Sequence, residues 1–421
     1  MILLLACAAI DDVVAEIDPD TRTLVHVSFT TPTAEPARVS YGEGLSTPWS
    51  EPSTEHTFTL LGLASGEAYE VVAETETVAS APTQVSTGVP PVNVPEFLPV
   101  VEGEGPGFVL TSVVGGDEGE SSIVILDDAA RITWYATPES GYTPSARFAE
   151  DGESLLYMVT SKDNVEAAVV RRQPLAGGDY TEYPAPYGHH DFIEVPGLEF
   201  AYIAAEGREV NGEDVVGDKI VERDLDGNER EVWNAFDWLE VEKNQGWNTN
   251  LYPFGADWTH ANGLFYDEES DAYLISLYFH HTVVKVDRGT GDVGWFLGGE
   301  HSDFTLPLGH TFQHQHAPSV TPEGEVCVYD NAGGPDGSRG LCFRLEGDAA
   351  TLAWSFDPAD DRQSVLMGDV DRRADGGALV AFGEHGEIDL VSPDGALVWE
   401  VDSEDLGVVS KVEARASLYA D

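Results

Sequence analysis

Histidine is the residue type whose placement in this chain most directly suggests chemistry. Ten of the twelve histidines lie between residues 189 and 385, most of them in three short stretches, 188–191, 257–262 and 310–316. Imidazole changes its charge near neutral pH and commonly transfers protons or binds metal ions. Because the stretches are separated by about 55 to 70 residues, close to the length of an internal repeat, we expect separate repeats to bring their histidines to one shared pocket.

A recurring tryptophan defines that repeat. Five segments place a tryptophan near the end of a predicted strand, after an acidic turn, at Trp134, Trp233, Trp295, Trp354 and Trp399. The first interval, 99 residues, is about two repeats long, and Tyr183 stands near its middle in the tryptophan's place. Six units of about 45 to 60 residues, each long enough for four short strands, predict an all-β protein with a six-bladed β-propeller over residues 91–421.

Residues 10–90 are predicted to form a separate small β-sandwich. Segments 23–29 and 37–41 alternate apolar and polar residues with the period of half-buried strands. The passage from Glu55 to Ala73 resembles a conserved passage of fibronectin type III modules, and residues 87–91 read as a linker. This unit is therefore interpreted as a fibronectin-III-like spacer.

The first nine residues resemble the end of an export signal. Leu4-Leu5-Ala6-Cys7 is similar to a bacterial lipobox, which would make Cys7 the lipidated residue of a periplasmic or cell-surface lipoprotein. The stretch has no basic residues and its apolar run is short for a signal peptide. Residues 1–9 are thus either the remnant of a lipoprotein signal or a chance match.

Net charge excludes some partners. The chain has 21 basic and 76 acidic residues, a formal charge of −55. Such a field repels nucleic acid and anionic membrane surfaces, so no nucleic-acid partner is expected. The carboxylates are interpreted either as a solubilising surface, suited to high external salt, or as a cation-binding surface.

Two cysteines bear on the compartment. Cys327 and Cys342 flank a glycine-rich loop at equal distances from its midpoint. If their segments pair as antiparallel strands, the two side chains face each other and can form a disulfide, which would suit an oxidising compartment. Two free buried thiols are the alternative.

Across residues 185–400 the order and spacing of several short motifs resemble the bacterial arylsulfotransferase family. The matching residues are His190-Asp191; Asp257, Trp258, His260 and Asn262; Asp287, Thr290-Gly291, Trp295 and Leu297-Gly298-Gly299; Gln315-His316; Asp330-Asn331; and Ser338-Arg339. The family carries a small β-domain before a six-bladed propeller, which agrees with the repeat pattern. It transfers sulfuryl groups from small-molecule aryl sulfates to phenols without a nucleotide donor, so the resemblance implies no cofactor and no metal ion.

The resemblance also implies a role for individual residues. His316 corresponds to the nucleophile that becomes transiently sulfated, and His190 and His260 to histidines that line the sulfuryl pocket. Candidate substrate-binding residues are Asn262, Tyr278, Asn331, Arg339 and Gln315. A neutral imidazole can attack sulfur, and a second histidine can protonate the departing phenolate.

Tyr278 is the one clear departure from the family pattern. It stands where the family normally has an arginine that holds the sulfate, and a tyrosine offers one hydrogen bond but neither a positive charge nor a bidentate fork. His280 or His281, if protonated, is a nearby candidate for the missing charge.

Two other functions stay open. One is a metal-dependent propeller hydrolase or lyase, with His190, His260 and His316 as ligands of one divalent ion. The other is a noncatalytic, surface-anchored propeller that binds a ligand or another protein. The sequence leaves the oligomeric state open as well.

Overall fold

The structure is a computed structural model that describes residues 10–42, 44–101, 103–115, 120–161, 164–241, 248–334, 337–359, 362–403 and 407–420. These residues form 34 β-strands, one four-residue α-helix (α1, Ala235–Trp238) and three short 3-10 helices. The protein is therefore all-β, as the sequence predicts. In this part of the chain, no helix is both long and apolar enough to cross a membrane. The predictions for residues 1–9 and for Cys7 lie outside the described residues.

The N-terminal strands make two sheets around one core. Strand β2 buries every second residue, among them Val25, Val27 and Phe29, because successive side chains of a strand point to opposite faces. The sheets have the strand orders β1-β2-β5 and β4-β3-β6-β7. The strands are β1 Asp11–Ile17, β2 Val25–Glu35, β3 Ala37–Tyr41, β4 Leu45–Ser46, β5 Ser53–Leu60, β6 Ala68–Thr75 and β7 Thr83–Ser86.

The strands from residue 97 onward form six sheets, numbered I to VI. Sheet I is β11-β10-β9-β34, sheet II β12-β13-β14-β15, sheet IV β22-β23-β24-β25 and sheet V β26-β27-β28-β29. Sheet III combines β16 to β21, and sheet VI has the order β30-β31-β32-β33-β8. The strands of sheets I to III are β9 Phe108–Gly115, β10 Glu120–Leu126, β11 Ile132–Ala136, β12 Ala146–Phe148, β13 Ser154–Val159, β14 Val169–Pro174, β15 Thr181–Pro184, β16 Gly188–Ile193, β17 Leu198–Val210, β18 Glu213–Asp224, β19 Glu229–Asn234, β20 Asn248–Tyr252 and β21 Gly255–Asp257.

The remaining strands form sheets IV to VI and complete sheet I. They are β8 Phe97–Val101, β22 Ala261–Asp267, β23 Ala272–Leu277, β24 Thr282–Asp287, β25 Val293–Gly298, β26 His316–Val320, β27 Val326–Gly334, β28 Gly337–Glu346, β29 Ala349–Phe356, β30 Asp369–Arg372, β31 Ala378–Phe382, β32 Glu387–Val391, β33 Leu397–Ser403 and β34 Val408–Arg415. Strand β34 pairs with β9 in sheet I, and β8 pairs with β33 in sheet VI. Sheet I is thus completed by a strand from the C-terminal end of residues 97–415, and sheet VI by a strand from the N-terminal end of the same range.

The repeating tryptophans tie neighbouring sheets together. Each of the five lies in the strand at one end of a row of four paired strands, namely β11, β19, β25, β29 or β33. Tyr183 in β15 has the same position in sheet II. The buried indole of Trp134 donates its N–H to the Leu175 carbonyl of the next sheet at 3.1 Å, and Trp399 donates to the Asp128 carbonyl of sheet I at 2.7 Å. At these two positions a large ring with one donor fills the gap and satisfies a turn carbonyl, whereas the indole N–H groups of Trp233 and Trp354 have no hydrogen-bond partner among the described residues.

Cys327 and Cys342 lie opposite each other in the antiparallel pair β27 and β28, and a disulfide joins them. Both side chains are fully buried. The pairing follows the arrangement that the sequence predicts from their equal distances to the loop.

Candidate active site

The first strands of sheets III, IV and V start with the same local distortion. Pairing with the next strand shifts register between Gly188 and Phe192 in β16, Ala261 and Gly263 in β22, and His316 and Ser319 in β26. Such bulges turn side chains away from the regular alternation and are common beside active sites.

Left-handed backbone accompanies each distortion. The φ angles of His190, His260 and Ala317 are +57°, +49° and +49°, and His281 and His314 nearby have +53° and +57°. Residues other than glycine rarely adopt this region, and such strain persists where the surrounding structure holds it, often at functional sites. Four of these five residues are histidines, so the strain coincides with the residues that could do chemistry.

The distorted strand starts are close together in space. Strand β22 packs so tightly on β26 that a Cβ added to Gly263 would lie 2.4 Å from Pro318 Cδ. The imidazole centroids of His190 and His260 are 4.8 Å apart. The Tyr278 ring lies 5.0 Å from the His260 ring and 5.7 Å from the His316 ring. The three predicted catalytic histidines and Tyr278 therefore form one group, which we call the histidine site.

His316 is held as a neutral imidazole with a defined tautomer. The Asn331 amide nitrogen donates to the Ser364 and Met367 carbonyls at 2.7 and 2.8 Å, so its oxygen must face His316 Nδ1, 2.8 Å away. Carbonyl oxygens only accept hydrogen bonds, hence Nδ1 carries the proton and Nε2 keeps its lone pair. Burial lowers the pKa of His316 to about 3, and the charge of His260 acts in the same direction. At neutral pH the side chain is thus uncharged, with an unprotonated Nε2.

His260 has a carboxylate partner instead of an amide. Asp257 accepts hydrogen bonds from His260 Nδ1 at 2.5 Å and from the His260 main-chain N–H at 3.0 Å. Asp257 is fully buried; burial, with a contribution from the charge of Asp218, raises its pKa, although His260 opposes that shift. A carboxylate on Nδ1 stabilises the doubly protonated imidazolium, so His260 is suited to give and take a proton at Nε2.

His190 is connected to a second buried carboxylate through His189. His189 Nε2 donates to Asp218 at 3.0 Å, and the Nδ1 atoms of His189 and His190 are 2.7 Å apart. Asp218 also accepts from the Thr259 hydroxyl at 2.7 Å and the Ala261 N–H at 2.5 Å. Although burial raises it, the pKa of Asp218 is held below its ordinary value by the charge and hydrogen bond of His189 and by these donors. Asp218 therefore fixes both His189 and the start of β22.

The other motif residues mostly support the framework. Gln315 is fully buried, and its amide nitrogen donates to the Ser276 hydroxyl at 2.8 Å and the Thr282 carbonyl at 3.0 Å. Asn262 donates to the Gln315 carbonyl at 2.9 Å, which ties the start of β22 to the residue before His316. Asp191, which follows His190, is buried and pairs with Lys411 and Arg147, and the charge of Lys411 also contributes to lowering the pKa of His316. These contacts position the strands that carry the histidines.

Arg339 is not directed at the histidine site. Its guanidinium donates to Asp330 at 3.0 Å and to the Thr311 carbonyl at 3.0 Å, and the side chain is almost fully buried. Asp330 in turn accepts the Gln313 main-chain N–H at 2.9 Å. The arginine thus braces the segment that leads into His314 and His316, and its charge is matched by Asp330.

The positive charge missing at Tyr278 does not come from the adjacent histidines. Burial lowers the pKa values of His280 and His281 to about 4, with further lowering from other histidines, so both are neutral at neutral pH. The Tyr278 ring stacks on His314 at 4.3 Å, and its hydroxyl is 3.5 Å from the Val365 carbonyl. Tyr278 therefore contributes an aromatic wall to the site.

Two features of the site had little or no signal in the sequence. His189 stands beside a motif histidine but outside the motif, and Asp218 belongs to no motif.

A metal centre finds no support in geometry: among the residues that the structure describes, no three His, Cys, Asp or Glu side chains are arranged to hold an ion.

Comparisons with solved structures find distant similarity, of which three examples follow. A Bacteroides caccae protein of unknown function has a TM-score of 0.44 at 12% identity, with 72% of this chain and 97% of that chain covered. A streptogramin B lyase has a TM-score of 0.43 at 11% identity, with 76% and 98% covered. The Pseudomonas aeruginosa periplasmic gluconolactonase has 0.43 at 12% identity, with 73% and 100% covered. No curated protein matches the chain.

The family comparison gives a definite result. The model of the arylsulfotransferase (ASST) family matches residues 106–339, more than half of the 421 residues. The matched range includes the three distorted strand starts, the disulfide cysteine Cys327 and every residue of the histidine site. The chain therefore belongs to the arylsulfotransferase (ASST) family.

Proposed function

We propose that the protein transfers a sulfuryl group from a phenolic sulfate ester to a phenol through a sulfated His316. The observation that carries this proposal is the pairing of His316 Nδ1 with the Asn331 amide oxygen at 2.8 Å, which leaves a neutral, unprotonated Nε2. Sulfuryl transfer should resemble phosphoryl transfer, in which positioning and charge stabilisation do most of the work. A nucleophile fixed in its reactive tautomer meets the first of these requirements.

In the first step, the Nε2 lone pair of His316 forms a bond to sulfur while the bond from sulfur to the aryl oxygen breaks. The departing phenolate takes the proton from His260 Nε2, whose imidazolium form is stabilised by Asp257. In the second step the acceptor phenol returns a proton to His260, its oxygen bonds to sulfur, and the N–S bond breaks. Both histidines then have their starting protonation states.

Positive charge for the sulfuryl oxygens would come from protonated histidine in place of the family's arginine. His260 lies against Asp257, and His190 is connected to Asp218 through His189. The Asp257 carboxylate favours the charged form of His260, which it contacts directly. Tyr278, at the arginine's position, can supply only its ring and one hydroxyl.

The whole molecule fits a propeller that presents this site. We propose that sheets I to VI are six blades around a central axis, following a fibronectin-III-like sandwich over residues 10–90. The support is the exchange of strands at the two ends, with β34 in sheet I and β8 in sheet VI. We further propose export to an oxidising compartment, which the bond between Cys327 and Cys342 supports. A lipid anchor at Cys7 rests on the sequence motif alone.

The function is tested with purified protein, the chromogenic donor para-nitrophenyl sulfate and phenol. We expect turnover by the wild type and a loss of at least about a thousandfold for His316→Ala. Donor alone should add one sulfuryl group to the peptide that contains His316, detected by mass spectrometry at neutral to alkaline pH. His26→Ala, in the N-terminal sandwich, is the matched control and should keep full activity.

A noncatalytic binding protein is the second candidate, and the uncharged Tyr278 at the arginine's position favours it. Absence of turnover in the wild type, together with binding of an aryl sulfate that His316→Ala does not weaken, would support this candidate and refute the enzyme.

A further inference from the structure

His314 is a further histidine beside the histidine site, and the proposed mechanism gives it no role. Its ring stacks on the Tyr278 ring, with the centroids 4.3 Å apart and 14° between the planes. The Tyr278 ring also contacts the rings of His260 and His316, at 5.0 and 5.7 Å. The His314 ring therefore lies against a ring that contacts both the proposed acid and the proposed nucleophile.

The main chain holds His314 in a left-handed conformation, with a φ angle of +57°. Its N–H donates to His281 Nδ1 at 3.2 Å. The preceding residue, Gln313, donates its N–H to Asp330 at 2.9 Å and accepts the Ala332 N–H at 3.1 Å. Such a conformation persists where the surroundings fix it, often at functional sites. The position of the His314 ring is thus set by the backbone on which it is carried.

The ring nitrogens of His314 are available to a ligand. Within the described parts of the chain, neither of them makes a hydrogen bond. The rings of His190, His260 and His316, in contrast, each have a polar partner at Nδ1. The His314 side chain is also partly exposed. Because no described residue fixes its tautomer, the ring can carry its proton on either nitrogen.

His314 is uncharged at neutral pH. Burial lowers its pKa, and the charge of His260 acts in the same direction. The neutral ring offers one N–H donor and one lone pair. The influence of His260 agrees with the ring contacts, since both imidazoles lie against Tyr278.

We propose that His314 donates a hydrogen bond to an oxygen of the sulfuryl group while His316 attacks sulfur. The inference rests on the proposed sulfuryl transfer and adds a substrate-binding residue to it. Donors aimed at the oxygens of a transferred group stabilise the charge on those oxygens. A hydrogen bond to a charged acceptor is stronger than one between neutral groups, so an uncharged imidazole is sufficient. Tyr278 is then the surface against which the His314 ring is oriented.

Binding of a donor analogue that cannot react tests this role. Phenylmethanesulfonate has the shape and charge of phenyl sulfate, but a methylene group replaces the ester oxygen, so no sulfuryl group can leave. Calorimetry with the full-length protein measures its Kd and that of phenol, which has the ring without the sulfonate. Phenylalanine keeps an aromatic ring beside Tyr278 and removes the N–H. We expect His314→Phe to weaken phenylmethanesulfonate about tenfold and phenol less than about twofold, because one hydrogen bond to a charged group is lost.

Two further variants separate the hydrogen bond from packing. His314→Gln removes the ring but keeps an N–H donor, so the ratio of the two Kd values should stay within about threefold of the wild-type ratio. His301→Phe replaces an exposed histidine that follows β25, and it is the matched control that should change neither Kd. The ratio is informative even where a variant distorts the segment, because distortion of the site weakens both ligands.

Unchanged binding of phenylmethanesulfonate by His314→Phe, or equal losses for the sulfonate and phenol, would overturn the inference. The same conclusion follows if His314→Gln loses as much of the ratio as His314→Phe, since the N–H donor would then have no effect. Failure of the proposed function is a separate result: the wild type would not turn over para-nitrophenyl sulfate and phenol, while sulfonate binding would still depend on His314. Turnover with a donor KM that His314→Phe leaves unchanged would keep the function and refute the role of His314 alone.

Discussion

The sharpest perturbation of the proposed mechanism is Asp257→Asn. The substitution preserves the size of the side chain and an oxygen that can accept the His260 main-chain N–H. It removes the negative charge that lies 2.5 Å from His260 Nδ1. The imidazolium form of His260 then loses its main stabilising partner, and the side chain becomes a poorer acid for the departing phenolate.

The expected magnitude follows from the geometry. With charge centres about 4 Å apart and an effective dielectric constant of about 20, the pair is worth at most about 4 kcal/mol, or about a thousandfold. Burial of the Asp257 carboxylate offsets part of this stabilisation, since burial raises the pKa of Asp257. General acid catalysis typically contributes about 10² to 10⁴-fold. We therefore expect the variant to lose about 10² to 10³-fold in kcat/KM when protonation of the leaving group matters most.

The assay uses two donors that differ in how much they need that proton. Phenyl sulfate releases a phenolate of pKa about 10, similar to that of tyrosine, whereas para-nitrophenyl sulfate releases a more stable anion. Asp257→Asn should cost the full factor with phenyl sulfate and less than about tenfold with para-nitrophenyl sulfate. Stopped-flow release of phenol before the acceptor is added isolates the first step.

Equal losses with both donors would refute the assignment of His260 as the acid, because a purely positional defect does not depend on the leaving group. No loss with either donor would refute it as well. Asp267→Asn, at the end of β22 and paired with Lys285 at 2.9 Å, is the matched control. It should leave the ratio of the two donors unchanged.

Three further outcomes are expected. Tyr278→Arg should lower the donor KM about tenfold, because it restores a cation beside the sulfuryl group. Tyr278→Phe should change the donor KM less than twofold, because the Tyr278 hydroxyl makes only a 3.5 Å contact. Steady-state kinetics measures both effects. Burial holds the pKa of His316 at about 3, below its ordinary value, so folded protein binds this proton less readily than unfolded protein. Stability should therefore fall as the pH drops from 6.5 toward 3, by about 2 kcal/mol at pH 5 from this group, and His316→Asn should remove that share in urea titrations. Cys342→Ser opens a loop with a sequence separation of 15 and should lower the free energy of unfolding by about 3 kcal/mol in the same assay.

The repeat pattern predicted much of the fold because it reports a local requirement. Trp134 and Trp399 occupy equivalent strands, and each fills the gap to the next sheet and donates to a turn carbonyl there. A large aromatic ring recurs at this position from unit to unit, so the position is visible in the sequence. The cysteine pair is predictable for a similar reason, since both partners lie in one hairpin.

The contacts that distinguish the histidines were not predictable in the same way. Asp218 is one of 76 acidic residues and lies 29 residues from His189, in a strand whose register is set by its neighbours. Arg339 matches a family motif, but only the pairing of β27 with β28 places it against Asp330. The direction of a side chain and the residue that it contacts depend on the three-dimensional fold, and a sequence motif specifies neither.

The partners of the histidines also bear on how so acidic a protein can handle an anionic donor. A permanently charged arginine would hold the sulfuryl oxygens through both chemical steps. In the proposed mechanism the cation is instead the proton on His260, kept there by Asp257, and it leaves with the phenolate in the step that sulfates His316. The charge on His260 is therefore present when the anionic donor binds and absent once the first product has formed. Because the Nδ1 proton of His316 stays hydrogen-bonded to the Asn331 amide oxygen, bond formation at Nε2 gives the His316 ring a formal positive charge beside the bound sulfuryl group, and this charge is lost when the N–S bond breaks in the second step.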